Sequence, residues 1–345
     1  MAFITLNKNH FFHNLDIITK RTCGKDKIAL VLKDNAYGHG LIEVSQMAKE
    51  YGITKAVVRS CDEAKKVADF FEYILVLADT PRESSNAVGT ASKIRYTIND
   101  LKQIKKFPKG TKVELKVNTA MNRNGIEIEE LEAAFERIDK QGLELEGIFT
   151  HHSSADEQNS IYDLQNSNFE RLKERATSLA KRYNFEPLRF HSSNSAALFR
   201  GDDFRDDMAR VGIAAYGCLE LENNPNAAKL KPILSVYAKK LSTRNLKAGE
   251  CVGYSATYKA QKNCTLSNYD FGYGDGFLRS CSNNYITPEG VNIAGRISMD
   301  NSSFLSDKEE LLIFDDARVA AKFAGTISYE MLTALKPNLK RSVLG

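Results

Sequence analysis

The sequence predicts an α/β fold: an N-terminal (β/α)8 barrel followed by a smaller, mostly β C-terminal domain. Three observations carry this. Eight short, apolar, β-branched runs alternate with charged amphipathic segments between residue 28 and about residue 217, a pattern that builds a TIM-like barrel or a doubly wound sheet. No G-x-G-x-x-G follows the first run, which disfavours the doubly wound, dinucleotide-binding version. After about residue 220 the alternation stops, and β-type runs broken by turn signals take over. The domains are accordingly placed at residues 1–222 and 223–345, with "ENNPNAAKLKP" reading as a linker by composition.

In chain order, "MAFITLNKNHFFHN" reads as strand then helix. It turns polar by residue 7 and lacks the basic and apolar regions of a secretory leader. The barrel strands are expected at Ile28–Leu32, Ala56–Val58, Tyr73–Ala78, Ile94–Ile98, Val113–Val117, Leu145–Thr150, Leu188–His191 and Met208–Tyr216. Ile128–Gln141 and Leu164–Tyr183 have helical periodicity, which is weaker around residues 80–90 and 193–200. In the second domain, "ILSVYAKKLST", "CVGYSATYKA" and "VNIAGRIS" alternate as strands, with turns at Asn283–Asn284 and Pro288–Gly290 and a short helix around Tyr329–Leu335.

Composition narrows the function class. The 345 residues are 42% apolar and 27% charged, as in a soluble globular protein. A net charge of +4 without a basic block gives little reason for nucleic acid or an acidic membrane as partner. No apolar run approaches the roughly 18 residues of a membrane span. Six scattered cysteines without C-x-x-C argue against a disulfide framework and a structural zinc, and read as reduced thiols of a cytoplasmic protein.

The polar residues sit at the C-terminal ends of strands. Lys33 ends the first, "KVNTAMNRNG" (116–125) the fifth, "THHSSAD" (150–156) the sixth and "HSSNSAA" (191–197) the seventh, and "RVGIAAYG" (210–217) spans the eighth. That is the face on which a barrel assembles its active site. A snorkelling surface lysine accounts for Lys33 alone, not for five strands ending alike. Ser193, Asn194 and Ser195 precede an apolar helical turn beside Gly212, which suits a phosphate; helix capping explains Ser193 or Asn194 equally well. Arg210 and Arg123 are cations at the rim, and His151 can bond either. His151–His152 lacks a carboxylate at ligand spacing, so no metal is assigned. A lysine on a pocket floor beside a phosphate site is what a Schiff-base cofactor needs.

These stretches, together with "VGYSATYKA", "FGYGDGFLR", "GRISMD" and "TISYE", resemble the alanine racemase family in order and spacing over nearly the whole chain. "VLKDNAYGHG" is similar to that family's lysine segment for pyridoxal 5'-phosphate (PLP). The resemblance implies interconversion of L- and D-alanine for peptidoglycan by a homodimer with shared active sites. It makes Lys33 the PLP-bearing lysine and one acid/base group, and Tyr254 the other, serving the partner subunit's site. Tyr37, Ser195, Gly212 and Tyr329 would hold the phosphate, with the backbone at Ile213. Arg210 would face the pyridine nitrogen and Arg123 the phenolic oxygen. Met299, through its backbone, would meet the substrate carboxylate near Arg123. His151 would orient Tyr254 and Arg210, and Tyr273 and Asp300 would form the access wall. Lys116 matches a lysine that is carbamylated in some relatives.

Racemisation fits such a pair, because a proton must leave one face of Cα and return on the other. Lysine and tyrosine have reference pKa values of about 10, which the site must lower. Several residues depart from the family. Asp34 and Arg59 stand where relatives have small residues and, lying on neighbouring strands, are expected to pair. Asn118, Asn122 and Asn124 replace the Asp, Gly and apolar residue more common in alanine-specific members, so a broader racemase acting on serine or lysine is the alternative. "LKPNLKRSVLG" lacks the family's closing arginine–proline pattern. Arg210 and Tyr254 disfavour a barrel-type decarboxylase, and the second domain disfavours a PLP carrier.

Overall fold

A computed structural model describes residues 1–81, 91–201 and 203–345. The chain begins outside the barrel. Strand β1 (Phe3–Asn7) pairs antiparallel with residues 234–237 and parallel with residues 340–344, within the sheet of the second domain. Helix α1 (Lys8–Thr22), capped by the Asn7 side chain on the His10 N–H, then leads into the barrel.

The barrel strands are β2 (Ile28–Val31), β3 (Lys55–Val58), β4 (Tyr73–Val76), β5 (Ile94–Ile98), β6 (Lys112–Lys116), β7 (Glu144–Phe149), β8 (Arg189–His191) and β9 (Ala209–Val211). They run parallel in sequence order, and β9 returns beside β2. The fold is thus an eight-stranded, nearly closed parallel barrel. Among the described residues, no strand ladder joins β8 to β9. Two backbone bonds span that seam, Asp207 N–H to the Phe190 carbonyl and Arg210 N–H to the Ser193 carbonyl, each 2.9 Å. Strands β2 and β4 are buried at every residue, which is why they read as unbroken apolar runs.

The intervening helices are α2 (Lys33–Tyr37), α3 (Leu41–Tyr51), α4 (Cys61–Val67), α5 (Leu131–Gln141), α6 (Ile161–Tyr183) and α7 (Ser195–Arg200). The weak interval at 193–200 is therefore helical, whereas the one at 80–90 falls almost wholly outside the described residues. The eighth strand stops at Val211, five residues before the expected end. Residues 212–217 form successive turns, with Ala215 N–H on the Gly212 carbonyl, and their apolar side chains are buried there instead.

The second domain is mostly β. Its long central strand β10 (Leu234–Leu246) is followed by β11 (Cys251–Val252), β12 (Tyr258–Lys259), β13 (Cys264–Tyr269), β14 (Ser302–Phe304) and β15 (Glu310–Phe314). Helices α8 (Ala317–Ala324) and α9 (Ser328–Thr333) precede the last strand, β16 (Lys340–Leu344). The main sheet runs β14-β13-β10-β1-β16, with β15 also on β10. Helix α9 packs against α2. Gly38, at φ +78, lies so close to the Leu332 carbonyl of α9 that no side chain fits between them. Among the described residues, no helix is long and apolar enough to cross a membrane, and no His/Cys/Asp/Glu group could hold a metal ion. Among the described residues no cysteine is joined in a disulfide.

Candidate active site

Lys33 stands two residues past the end of β2, and the chain then takes an uncommon path. Asp34, Asn35, Ala36 and Tyr37 have φ of +54, +56, +53 and +52, four successive left-handed residues. Asp and Asn tolerate this conformation; for Ala36 and Tyr37 it costs about 1–2 kcal/mol each. Local bonds hold the turn: Ala36 N–H to the Leu32 carbonyl (2.8 Å), Gly40 N–H to the Asn35 carbonyl (3.0 Å) and Leu41 N–H to Asn35 Oδ1 (2.9 Å). His39 Nδ1 donates to the Ala36 and Tyr37 carbonyls at 2.9 and 3.1 Å. Burial lowers His39 to about 4, so its ring is neutral at ordinary pH. Arg341, from β16, donates to the Gly38 carbonyl at 2.8 Å and clamps the far end of the turn.

The turn lays Tyr37 against β9. A Cβ at Gly212 would stand 2.8 Å from the Tyr37 hydroxyl, so that approach requires glycine. Ser195 Oγ accepts from the Gly212 and Ala214 N–H groups at 3.1 and 3.3 Å. Tyr329 of α9 lies with its ring 5.7 Å from that of Tyr37, and Ile213 is buried between the two amides. Hydroxyls and amides therefore gather in one cradle without a charged group of their own. Ser193 and Asn194 have other duties. Asn194 caps α7 through the Ala197 N–H, and the N–H and hydroxyl groups of Ser192 and Ser193 all converge on Asp206 at 2.7–2.9 Å.

Arg210 is buried in the barrel rather than standing at its rim. It donates to the carbonyls of Thr150 (2.7 Å), Ser192 (3.0 Å) and His191 (3.1 Å) and to His191 Nδ1 (2.6 Å). Burial lowers it to about 10, which still leaves a cation at neutral pH. Because Arg210 donates to Nδ1, His191 carries its proton on Nε2, which faces Glu114 at 2.7 Å. Burial raises the Glu114 carboxyl, but His191, Arg189 and the Tyr73 hydroxyl outweigh it and bring it to about 2. A buried relay from Arg210 through His191 to Glu114 thus fixes the guanidinium.

Near Arg210, His151 Nδ1 lies at 3.5 Å. Burial, with Arg210, Lys116 and Arg123, holds His151 well below its ordinary range. Lys116, at the end of β6, is lowered to about 8 by burial and by Arg123, Arg210 and Lys33. Lys33, Lys116, Arg123 and Arg210 therefore share one electrostatic neighbourhood, and none forms an ion pair with a described carboxylate.

Arg123 rides on a loop with positive φ at Ala120, Asn122 and Gly125. Asn122 is among the few side chains that adopt this conformation readily, which explains an asparagine there. The Asn118 side chain staples the loop, donating to Asn122 Oδ1 and Glu127 Oε1 at 2.9 and 3.0 Å and accepting from the Ala120 and Asn122 N–H groups. Asp34 and Arg59 pair as expected, at 3.1 Å.

The second domain's candidates stand apart. Tyr254 is 64% exposed, Met299 55% and Tyr273 41%. Among the described residues, no hydrogen bond, ion pair or ring contact joins them or Asp300 to the barrel cluster. The Met299 carbonyl accepts from Gly274 N–H at 2.7 Å, and Gly272 and Gly274 pass too close to that carbonyl for a Cβ. The residues missed from sequence are supporting ones: His39, Glu114, His191, Asp206 and Arg341. A charged Glu114 between Val113 and Leu115, within an expected barrel strand, was the one visible signal.

Sequence profiles described as alanine racemase, N-terminal domain, and alanine racemase, C-terminal domain, match residues 6–220 and 233–343. An alanine racemase from a Nitratiruptor species is 44% identical over 342 residues, covering 99% of each chain. The crystal structure of alanine racemase from Bacillus anthracis with bound L-Ala-P superposes with a TM-score of 0.86 at 26% identity, covering 100% of this chain and 95% of that one. A histidine racemase from Leuconostoc mesenteroides superposes with a TM-score of 0.85 at 25% identity, covering 100% of this chain and 98% of the other.

Proposed function

The chain belongs to the alanine racemase family of isomerases, and on that premise we propose that it interconverts L- and D-alanine with PLP held covalently on Lys33. The observation that carries this reading is a lysine in a cluster of four cations without a carboxylate partner among the described residues, beside a cradle of neutral donors. Such a site suits an anionic ligand with a carbonyl that an amine can capture. The donors fit PLP: the Tyr37 and Ser195 hydroxyls and the backbone at Gly212 and Ile213 would take its phosphate, with Tyr329 alongside. Arg123 would hold the phenolic oxygen and Arg210 would face the pyridine nitrogen. When bound, PLP acidifies the substrate Cα–H by delocalising the electron pair left behind.

The chain's own residues supply the rest. Arg210 stays protonated, so it would serve the ring nitrogen as a donor and would keep that nitrogen unprotonated, which suits proton exchange over decarboxylation. His151, held neutral beside Arg210, orients it and the partner subunit's Tyr254. Lys33 moves the proton on one face of Cα and the partner subunit's Tyr254 on the other. The Met299 N–H, without a partner among the described residues, would receive the substrate carboxylate near Arg123, with Tyr273 and Asp300 on the access wall. The exposure of Tyr254 and Met299 supports a homodimer in which each subunit completes the other's site. The D-alanine formed would serve peptidoglycan.

Lys116, lowered to about 8, has enough neutral amine to add CO2, forming a carbamate and releasing one proton. An anion there would offset Arg123 and Arg210. Intact-mass measurement under bicarbonate should show one added CO2, lost in the Lys116→Ala variant; an unchanged mass would remove the carbamate from the account.

The second reading is a broader racemase. The shared fold with a histidine racemase shows that architecture alone does not choose the side chain. Chiral chromatography of the protein with PLP and each L-amino acid decides it. We expect alanine to lead serine, lysine and histidine by at least about tenfold, the low end of what a small pocket achieves. A larger substrate turned over faster would replace alanine, and no racemisation at all would end the proposal.

A further inference from the structure

Glu63, on α4, has no part in the roles above, yet both its carboxylate oxygens are engaged by backbone. Oε1 accepts from the Asp34 N–H at 2.8 Å and Oε2 from the Arg59 N–H at 2.7 Å. These amides belong to different parts of the barrel. Asp34 opens the left-handed turn directly after Lys33, and Arg59 follows β3. One side chain therefore ties the turn that carries Lys33 to the neighbouring strand. The Ser60 hydroxyl, capping α4 on the Glu63 N–H at 3.3 Å, fixes the base of that side chain.

We propose that Glu63 is a positioning residue for Lys33. The Leu32 N–H, just before Lys33, is held by the Val57 carbonyl of β3 at 2.8 Å, and from Lys33 onward the other backbone bonds of the turn either close within residues 32–41 or, through Arg341, hold its far end at Gly38. Glu63 acts at the near end, on the amide adjacent to Lys33. The turn has a conformational cost at Ala36 and Tyr37, so an anchor at its start sets where the lysine stem points. Only a carboxylate meets both amides, because it offers two acceptors and no donor. A glutamine of the same shape would turn an NH2 toward one of the N–H groups and lose that bond. Bonds to a charged acceptor are the stronger kind. The Asp34–Arg59 pair spans the same joint, but with its side chains 38% and 66% exposed it contributes little.

The inference rests on the reading that Lys33 bears the cofactor, and the test separates the two. Glu63→Gln should lower kcat for alanine about tenfold in both directions, with KM changed less than twofold. In cofactor-free protein the same variant should exchange the Asp34 and Arg59 amides about tenfold faster and alter the rate at which an amine-directed reagent labels Lys33. Arg59→Ala, which keeps the amide and removes only the exposed pair, should stay within twofold of the parent in every readout. Glu63→Asp, too short to reach both amides, should fall between the parent and Glu63→Gln, and it decides the matter if Glu63→Gln does not fold. An unchanged kcat and Lys33 labelling rate in Glu63→Gln, or in Glu63→Asp where that variant decides, would overturn the role. So would an equal loss in Arg59→Ala. The amide-exchange and labelling arms read the clasp whether or not Lys33 binds PLP.

Discussion

Lys33→Ala is expected to yield a folded, colourless protein without measurable racemisation. The side chain is only partly buried and forms no ion pair with a described carboxylate, so its removal leaves the barrel core intact. What disappears is the covalent hold on PLP and one of two proton-transfer groups. Loss of a general base alone typically costs about 10²–10⁴-fold. Borohydride reduction and peptide mapping check the assignment: the parent should carry a pyridoxyl group on Lys33, and the variant should carry none. A label on Lys116 in the parent would move the cofactor to β6.

The same variant reports on assembly. In a dimer with shared sites, Lys33→Ala contributes an intact Tyr254 and Tyr254→Phe contributes an intact Lys33. A mixed dimer then holds one complete site, and random exchange should restore roughly a quarter of parental activity for a two-fold symmetric pair. Proven subunit exchange without recovery would place both bases in one chain.

The barrel was legible because parallel strands buried on both faces appear as continuous apolar runs, and β2 and β4 are of that kind. Hydrophobicity alone could not mark where β9 ends, since Ile213 to Tyr216 are as buried in turns as they would be in a strand. Nor could local pattern tell that residues 3–7 join the second sheet, because their partners lie at 234–237 and 340–344, across the length of the chain. Lys33, Ser195 and Gly212 were singled out by their position at strand ends, and Tyr37 by the family resemblance. The left-handed turn that brings Tyr37 to Gly212 was not, since nothing in Ala36 or Tyr37 favours positive φ and only Gly38 and Gly40 hinted at it. Arginines seldom lie in interiors, so Arg210 was expected at the rim. Carbonyls at or just past the ends of β7 and β8 and a histidine backed by Glu114 make its burial tolerable. Which of three neighbouring polar residues served the cradle depended on Asp206, which claims Ser193 and leaves Ser195.

Tyr254→Phe is the second large effect. Tyr254 is mostly exposed within one chain, so losing its hydroxyl should cost little folding stability, and PLP binding through Lys33 should persist. Racemisation in both directions should fall by about 10²–10⁴-fold, since each direction needs a proton moved on the face that has lost its base. The asymmetry lies in the half-reactions. By the family's pattern Lys33 takes the α-proton from D-alanine and Tyr254 takes it from L-alanine. The deciding measurement is therefore α-proton exchange by the Tyr254→Phe variant in deuterated solvent, followed for each enantiomer by NMR. Two bases on opposite faces predict that D-alanine still exchanges through Lys33 while exchange of L-alanine collapses; equal losses for both enantiomers would contradict the account.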